Sequence, residues 1–149
     1  MQMLRWLRDK PATADVAENG PPVTYVVGDI HGCLGPLDRL LAKIAPRAED
    51  EVVFVGDYID RGPQSRGVVD RLLGLPYRGV FLMGNHERML LDFLAGEDEE
   101  IYLENGGRAT LESYGGSPDG IPAAHLAFFR SLRLMYETPD YLIVHAGVR

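Results

Sequence analysis

The stretch Val23-Thr24-Tyr25-Val26-Val27-Gly28-Asp29-Ile30-His31-Gly32 decides the fold, because an apolar run ends abruptly in a glycine and a cluster of metal-binding side chains. Two later stretches share the plan: Val52-Val53-Phe54-Val55-Gly56-Asp57-Tyr58-Ile59-Asp60-Arg61-Gly62 and Val80-Phe81-Leu82-Met83-Gly84-Asn85-His86-Glu87. The steps from residue 29 to 57 and from 57 to 85 are each 28 residues, close to one strand-helix-strand unit of about 30 residues. This spacing predicts parallel strands that deliver Asp29, His31, Asp57 and Asn85 to the carboxyl edge, where open α/β sheets place their crevices. Flanking glycines permit sharp exits and close approach to an ion or a phosphate. Two carboxylates, an imidazole and an amide suit manganese, iron or zinc.

Between the clusters, Leu34, Leu37, Leu40, Leu41 and Ile44 recur at helical spacing before Pro46, and Val68, Val69, Leu72, Leu73 and Leu75 repeat the arrangement. They predict crossover helices joining strands at 23–27, 51–55 and 79–83. Met89, Leu90, Leu91, Phe93 and Leu94 predict a third helix leading away from Asn85 and His86. From Gly96 to Gly120 the pattern weakens and reads as a surface excursion or cap, with Glu97, Asp98, Glu99 and Glu100 as a solvated face. A helix is expected over 122–131 and a hairpin over 134–144 around Pro139 and Asp140, delivering His145. The intervening residues do not match one another, so the equal steps are not a repeat.

A length of 149 residues with 46% hydrophobic composition supports one domain. Residues 1–22, with Pro11, Gly20, Pro21 and Pro22, read as an N-terminal extension and linker, with Leu4, Trp6 and Leu7 on a short helix packed outside. The domain proper runs over 23–149. A net charge of −7 excludes a general nucleic-acid binder, which needs a broad basic surface. The single cysteine, Cys33, excludes an internal disulfide and a Cys-rich zinc site, and is expected as a small buried thiol in a reducing cytoplasm. The amino terminus lacks the apolar core of a secretory leader and no 18-residue apolar run occurs, so no membrane role is expected.

These motifs resemble the metallophosphoesterase superfamily, and within it the Ser/Thr protein phosphatase branch of bacterial and bacteriophage type, from Val23 to the carboxyl terminus. The resemblance implies an αββα sandwich with a parallel core, and two divalent metal ions, manganese foremost and iron or zinc otherwise. It assigns Asp29 and His31 to the first metal, Asp57 as the bridge, and Asn85 and His145 to the second. It also makes His86 the proton donor, Asp60 its orienting partner, and Arg61 a phosphate clamp whose planar fork matches two phosphate oxygens, with Asn85 beside the substrate. Glu87 is expected to hold the loop rather than bind metal, and His125 to be an ordinary helix residue. Asn105-Gly106-Gly107-Arg108 reads either as a wall near the substrate entrance or as a glycine-rich turn opening a helix. Family members carry one more metal-binding histidine farther on. The chain therefore reads as truncated at Arg149, with an incomplete second sheet and uncovered apolar residues, Leu142 and Val144, open to self-association.

The function expected on this basis is metal-dependent phosphomonoester hydrolysis, foremost of a phosphorylated protein, with water held between two ions as nucleophile. Asp60 and Glu87 favour the phosphoprotein reading. The alternatives are the symmetrical dinucleoside tetraphosphatase branch, acting on a small phosphoester, and a metal- and phosphate-binding fragment with little turnover.

Overall fold

The computed structural model describes residues 20–147. The helix expected at Leu4, Trp6 and Leu7 lies outside the described residues. Strands β1 (Thr24–Val27), β2 (Glu51–Phe54) and β3 (Arg78–Phe81) form a parallel sheet in the order β1-β2-β3. Thr24 pairs with Glu51 and Glu51 with Arg78, so the three carboxyl ends are level. Helices α1 (Leu34–Ile44) and α2 (Ser65–Leu73) make the crossovers. A sheet ordered as its sequence, with right-handed crossovers, puts both helices on one face.

Val52 and Phe54 point to the helical face and pack with Leu37, Leu41, Val68, Val69 and Leu72. Val53, between them, points the other way and packs with Val80 and Leu82. A sheet covered on both faces explains why its strands read as continuous apolar runs rather than alternating ones. Each fully buried Leu or Phe here contributes about 1.5–3 kcal/mol. Helix α1 ends at Ala45 in the left-handed region, whose N–H returns to the Leu41 carbonyl at 2.9 Å, and Pro46 prevents its continuation.

The second face is covered by a hairpin, β4 (Met135–Glu137) and β5 (Leu142–Val144), whose Tyr136 and Ile143 pack on the Val53 cluster. Two backbone bonds carry the chain from sheet to hairpin, Met83 N–H to Arg133 O at 2.7 Å and Arg133 N–H to Phe81 O at 3.1 Å. Among the described residues the second sheet has these two strands. The layers, helices on a parallel sheet on an antiparallel one, agree with the sandwich class expected.

Residues 96–120 depart from the surface excursion read in the sequence. Helix α3 (Asn85–Leu94) is followed by α4 (Glu99–Tyr102), a π-helical turn (Leu103–Gly107), α5 (Arg108–Ser113) and a 3-10 turn (Pro118–Gly120), before α6 (Ala123–Ser131). Tyr102, Thr110 and Tyr114 from this segment are buried. Helices this short carry too few apolar residues for periodicity to show, and their anchors are hydroxyl side chains that enter the core only with partners. The acidic run 97–100 is exposed as expected. Cys33, expected buried, is exposed, because it sits on the loop just before α1 rather than on the inward face of that helix. His125 is a satisfied core residue, bonded to the Tyr114 hydroxyl at 2.7 Å and to Asp70 at 3.0 Å.

Candidate metal centre and active site

The loops leaving the three strands are tied together by backbone. Ile30 and His31 donate N–H to the Asp57 carbonyl at 2.9 and 2.8 Å, and Gly32 donates to the Tyr58 carbonyl at 2.8 Å. The Glu87 carboxylate, fully buried in the first turn of α3, accepts the N–H groups of Asp57 at 2.9 Å, Tyr58 at 2.7 Å and Gly84 at 3.0 Å. Burial pushes the Glu87 carboxyl up to about 7, against the pull of the Tyr58 and Asp57 N–H groups. This is the loop-holding role expected for Glu87.

The loops are also strained. His31, Asp57, Asp60 and Arg61 all lie at positive φ, between 45° and 69°, a region that costs non-glycine residues of order 1–3 kcal/mol and persists where surrounding structure enforces it. A three-residue turn closed by Gly62 N–H to Asp60 O at 2.7 Å is centred on Arg61. Two glycines make the close approach possible. Gly56, at φ 112°, would place a Cβ 2.5 Å from Gly84 N, and a Cβ on Gly84 would fall on the Asp57 carboxylate.

Asp57 sits at the middle with its two oxygens facing different histidines. Its Oδ2 lies 3.7 Å from His31 Nε2, and its Oδ1 lies 3.5 Å from His145 Nε2. Asp29 Oδ2 is 4.0 Å from His31 Nε2, and Asn85 Oδ1 is 3.0 Å from His145 Nε2. Both histidines have their tautomer set from behind. His31 Nδ1 faces the Ile59 carbonyl at 3.0 Å and His145 Nδ1 the Val55 carbonyl at 2.9 Å. A carbonyl only accepts, so each Nδ1 carries a proton and each Nε2 is turned inward toward the other ligand atoms, the orientation of metal-binding histidines. Asp57 Oδ1 also accepts the His86 N–H at 3.1 Å, at the positive end of α3.

The donor chemistry therefore fits divalent cations. Two triples have ligand atoms within 4.8 Å of one another, His31 with Asp57 and His86, and Asp29 with Asp57 and His145. These cross the partition expected from sequence, while the pairwise approaches run from Asp29 to His31 to Asp57 Oδ2 on one side and from Asn85 to His145 to Asp57 Oδ1 on the other. Each set includes Asp57.

His86 stands apart in its partners. Its Nδ1 donates to Asp60 Oδ2 at 2.8 Å, and its Nε2 is buried with no partner among the described residues. Its ring meets that of His31 edge to face at 4.7 Å. Asp60 is fully buried, and burial pushes its carboxyl up against hydrogen bonds from Thr110, His86 and Tyr102. Arg61 is exposed, with Nη1 3.1 Å from His31 Nε2, and its N–H donates to the Gly106 carbonyl at 3.2 Å. The segment 105–108 opens α5, and its Gly106 packs against Arg61.

The structure brings together every residue singled out in the sequence: Asp29, His31, Asp57, Asp60, Arg61, Asn85, His86 and His145. Sequence reasoning missed Ser65, Thr110 and Tyr102, which surround Asp60. Their only local signal is a hydroxyl on an otherwise unremarked helix, which does not reveal a partner 42 or 50 residues away.

A profile of the calcineurin-like phosphoesterase family matches residues 23–148. Over 126 residues the chain is 35% identical to a symmetrical bis(5'-nucleosyl)-tetraphosphatase of Bordetella pertussis, covering 83% of this chain and 43% of that protein. It is 34% identical over 125 residues to the protein of the same name from Legionella pneumophila (strain Lens), covering 83% and 44%. A crystal structure of a protein provisionally assigned as a diadenosine tetraphosphatase superposes with a TM-score of 0.63 at 30% identity, covering 83% of this chain and 50% of that one. A metallophosphoesterase from Sphaerobacter thermophilus gives 0.55 at 25% identity, covering 80% and 44%. The chain spans less than half the length of the tetraphosphatases it matches.

These relatives overturn the protein-phosphatase expectation in favour of its tetraphosphatase alternative. The physical reason lies in the two residues that supported it. Glu87 points into the loops and Asp60 to the back of His86, both fully buried. Neither reaches a surface that a phosphoprotein would touch, so neither reads the substrate.

Proposed function

Because this chain belongs to the calcineurin-like phosphoesterase family, we propose that its crevice hydrolyses a phosphoric anhydride, with dinucleoside tetraphosphates as the substrate class. The family implies divalent metal ions. The observation that carries the reading is the Asp57 carboxylate, with one oxygen turned to His31 and the other to His145. The same geometry supports Asp29, His31 and Asp57 as one set of metal ligands and Asp57, Asn85 and His145 as the other. Nitrogen and oxygen donors without thiolates favour manganese, with iron and zinc as substitutes. Bound there, two divalent cations supply Lewis acidity toward phosphate oxygens and acidify an attacking water.

The chain's own residues do the rest. Arg61 offers a planar pair of donors to non-bridging phosphate oxygens. Water adds to one of the two central phosphorus atoms, the bond from that atom to the oxygen it shares with the other central phosphorus breaks, and two nucleoside diphosphates result. His86 Nε2, inward-facing and unpartnered, delivers a proton to the departing diphosphate oxygen, while Asp60 holds Nδ1. A positioned acid of this kind contributes typically 100-fold or more. Asn85, whose Oδ1 faces His145 Nε2, would serve both the metal set and the incoming phosphate. A cytoplasmic setting suits an exposed single thiol at Cys33, and among the described residues no helix is long and apolar enough to cross a membrane.

The test is manganese-dependent hydrolysis of diadenosine tetraphosphate beside a phosphoserine peptide, with Asp57→Asn as control. ADP release from the first, absent in the control and at least about 100-fold faster than peptide dephosphorylation, is the expected result. Faster release of phosphate from the peptide overturns the substrate assignment. Manganese titration supplies a second readout, with two equivalents bound by the native chain and fewer by Asp57→Asn.

A further inference from the structure

The Asp60 carboxylate is bonded by three side chains, and all three come from far along the chain. Oδ2 takes the His86 Nδ1 proton at 2.8 Å, while Oδ1 accepts the Thr110 hydroxyl at 2.6 Å and the Tyr102 hydroxyl at 3.1 Å. The Asp60 N–H is in turn accepted by Thr110 Oγ1 at 2.8 Å and Ser65 Oγ at 3.1 Å. Thr110 commits its only hydroxyl proton to the carboxylate, so Ser65, 2.9 Å away, donates to Thr110. Thr110 therefore grips both the side chain and the backbone of Asp60, at a residue whose φ of 69° needs holding.

We propose that Thr110 and Tyr102 are positioning residues for His86: by pinning Asp60 Oδ1 they stop the carboxylate rotating and so aim the imidazole Nε2 into the crevice. This rests on the reading of His86 as proton donor. With Oδ1 released, rotation about the Cβ–Cγ bond takes Oδ2 off His86, and the ring loses the one hydrogen bond its side chain makes among the described residues. The hydroxyls are themselves fixed. The Tyr102 ring stacks on Phe93 at 4.9 Å, and it fits against Gly107 so closely that a Cβ there would lie 2.5 Å from the ring. Tyr102, Thr110, Asp60 and His86 are all at most 1% exposed, so no water competes for these bonds. The α4–α5 segment thereby becomes part of the catalytic apparatus without touching substrate.

The test uses the manganese-loaded chain and the variants Thr110→Val, Tyr102→Phe and Thr110→Ser. Tyr102→Phe leaves the Phe93 stack in place and removes only the hydroxyl. Phenyl phosphate needs a proton on its leaving group, whereas p-nitrophenyl phosphate leaves readily as an anion. Thr110→Val is expected to lower kcat on phenyl phosphate by about tenfold and on p-nitrophenyl phosphate by less than about threefold, with KM unmoved. Tyr102→Phe moves the same way by less, and Thr110→Ser restores both.

The second readout is the far-downfield proton resonance of His86 Nδ1–H in isotope-labelled protein loaded with diamagnetic zinc instead of manganese, whose paramagnetism would broaden it away. It is expected to shift or vanish in Thr110→Val and Tyr102→Phe and to return in Thr110→Ser. An unmoved resonance in folded Thr110→Val and Tyr102→Phe overturns the proposal, as does an equal loss on both substrates. If the native chain hydrolyses neither ester, aryl monoesters fall outside its range, the anhydride reading keeps its own test on diadenosine tetraphosphate, and the resonance alone decides the positioning role.

Discussion

At the scale of single residues, the most exacting demands are on carboxylates, each with a different task. Asp57 divides its oxygens between two histidines, Glu87 collects backbone N–H groups, and Asp60 aims an imidazole. Asp50, remote from the site, ties the chain at the entry to β2. It accepts from Val23 N–H at 2.9 Å and from Arg47 at Nη2 at 2.7 Å, and Arg47 reaches on to the Gly20 and Pro21 carbonyls at 3.0 and 2.9 Å. The Arg47 guanidinium holds the Asp50 carboxyl well below the usual carboxylate range. A depressed folded value means stabilisation present above the ordinary pKa of about 4 and lost as pH falls toward the folded value. Urea melts between about pH 6 and 2 should therefore steepen in their stability loss below about pH 4. In Asp50→Asn the loss over that window should flatten. An identical slope in the variant would remove Asp50 from the acid response.

Elements differ in how far their sequence exposes them. The three parallel strands and their ligand-bearing loops were legible, because strands buried on both faces become continuous apolar runs and because Gly28, Gly56 and Gly84 mark where each run must turn. Helix α1 was legible to the residue, from leucine spacing and Pro46. The α4–α5 segment was not: pieces of four to six residues have no period to detect, and Tyr102 and Thr110 acquire meaning only opposite Asp60. Substrate preference misled for a related reason, since motif residues that differ between branches proved to face inward here. The junction of β3 and α3 offers the sharpest test of element geometry. A methyl group in Gly84→Ala would meet Asp57 Oδ1 and lie 2.7 Å from Glu87 Oε2. Such overpacking costs about 1–3 kcal/mol. Calorimetric titration should show manganese affinity at least about tenfold weaker, and native-like affinity would show that the loops yield more than their bonding suggests.

For the molecule as a whole, the two sheets part at one edge. A cleft of about 680 Å³ opens there between Val26 and Val55 on one side and Tyr141, Leu142 and Val144 on the other. Tyr141 is 73% exposed, Val26 55% and Leu142 50%, while Val144 is half-buried. Apolar surface of this kind favours self-association, so sedimentation should show mass rising with concentration, and Leu142→Ser together with Tyr141→Ser should reduce it. A concentration-independent monomer would count against that expectation. The hairpin that forms one wall of the cleft carries His145, whereas Asp57 and Asn85 stand on the main body. A cation shared among them would add a cross-link between hairpin and body. At a free manganese concentration of about 100 Kd, amide exchange at Tyr136 and Ile143 should slow by roughly 100-fold. Exchange indifferent to manganese would show that the hairpin is held by its packing alone.

That attachment has a consequence for survival. Pro139 and Asp140 form an exposed tip on a hairpin joined to the body by few backbone bonds, and cleavage by proteases follows how often such a segment opens. An ion that closes the hairpin would thus set how long the polypeptide survives a protease. On withdrawal of divalent ions, the tip at Pro139 and Asp140 should become an early site of cutting.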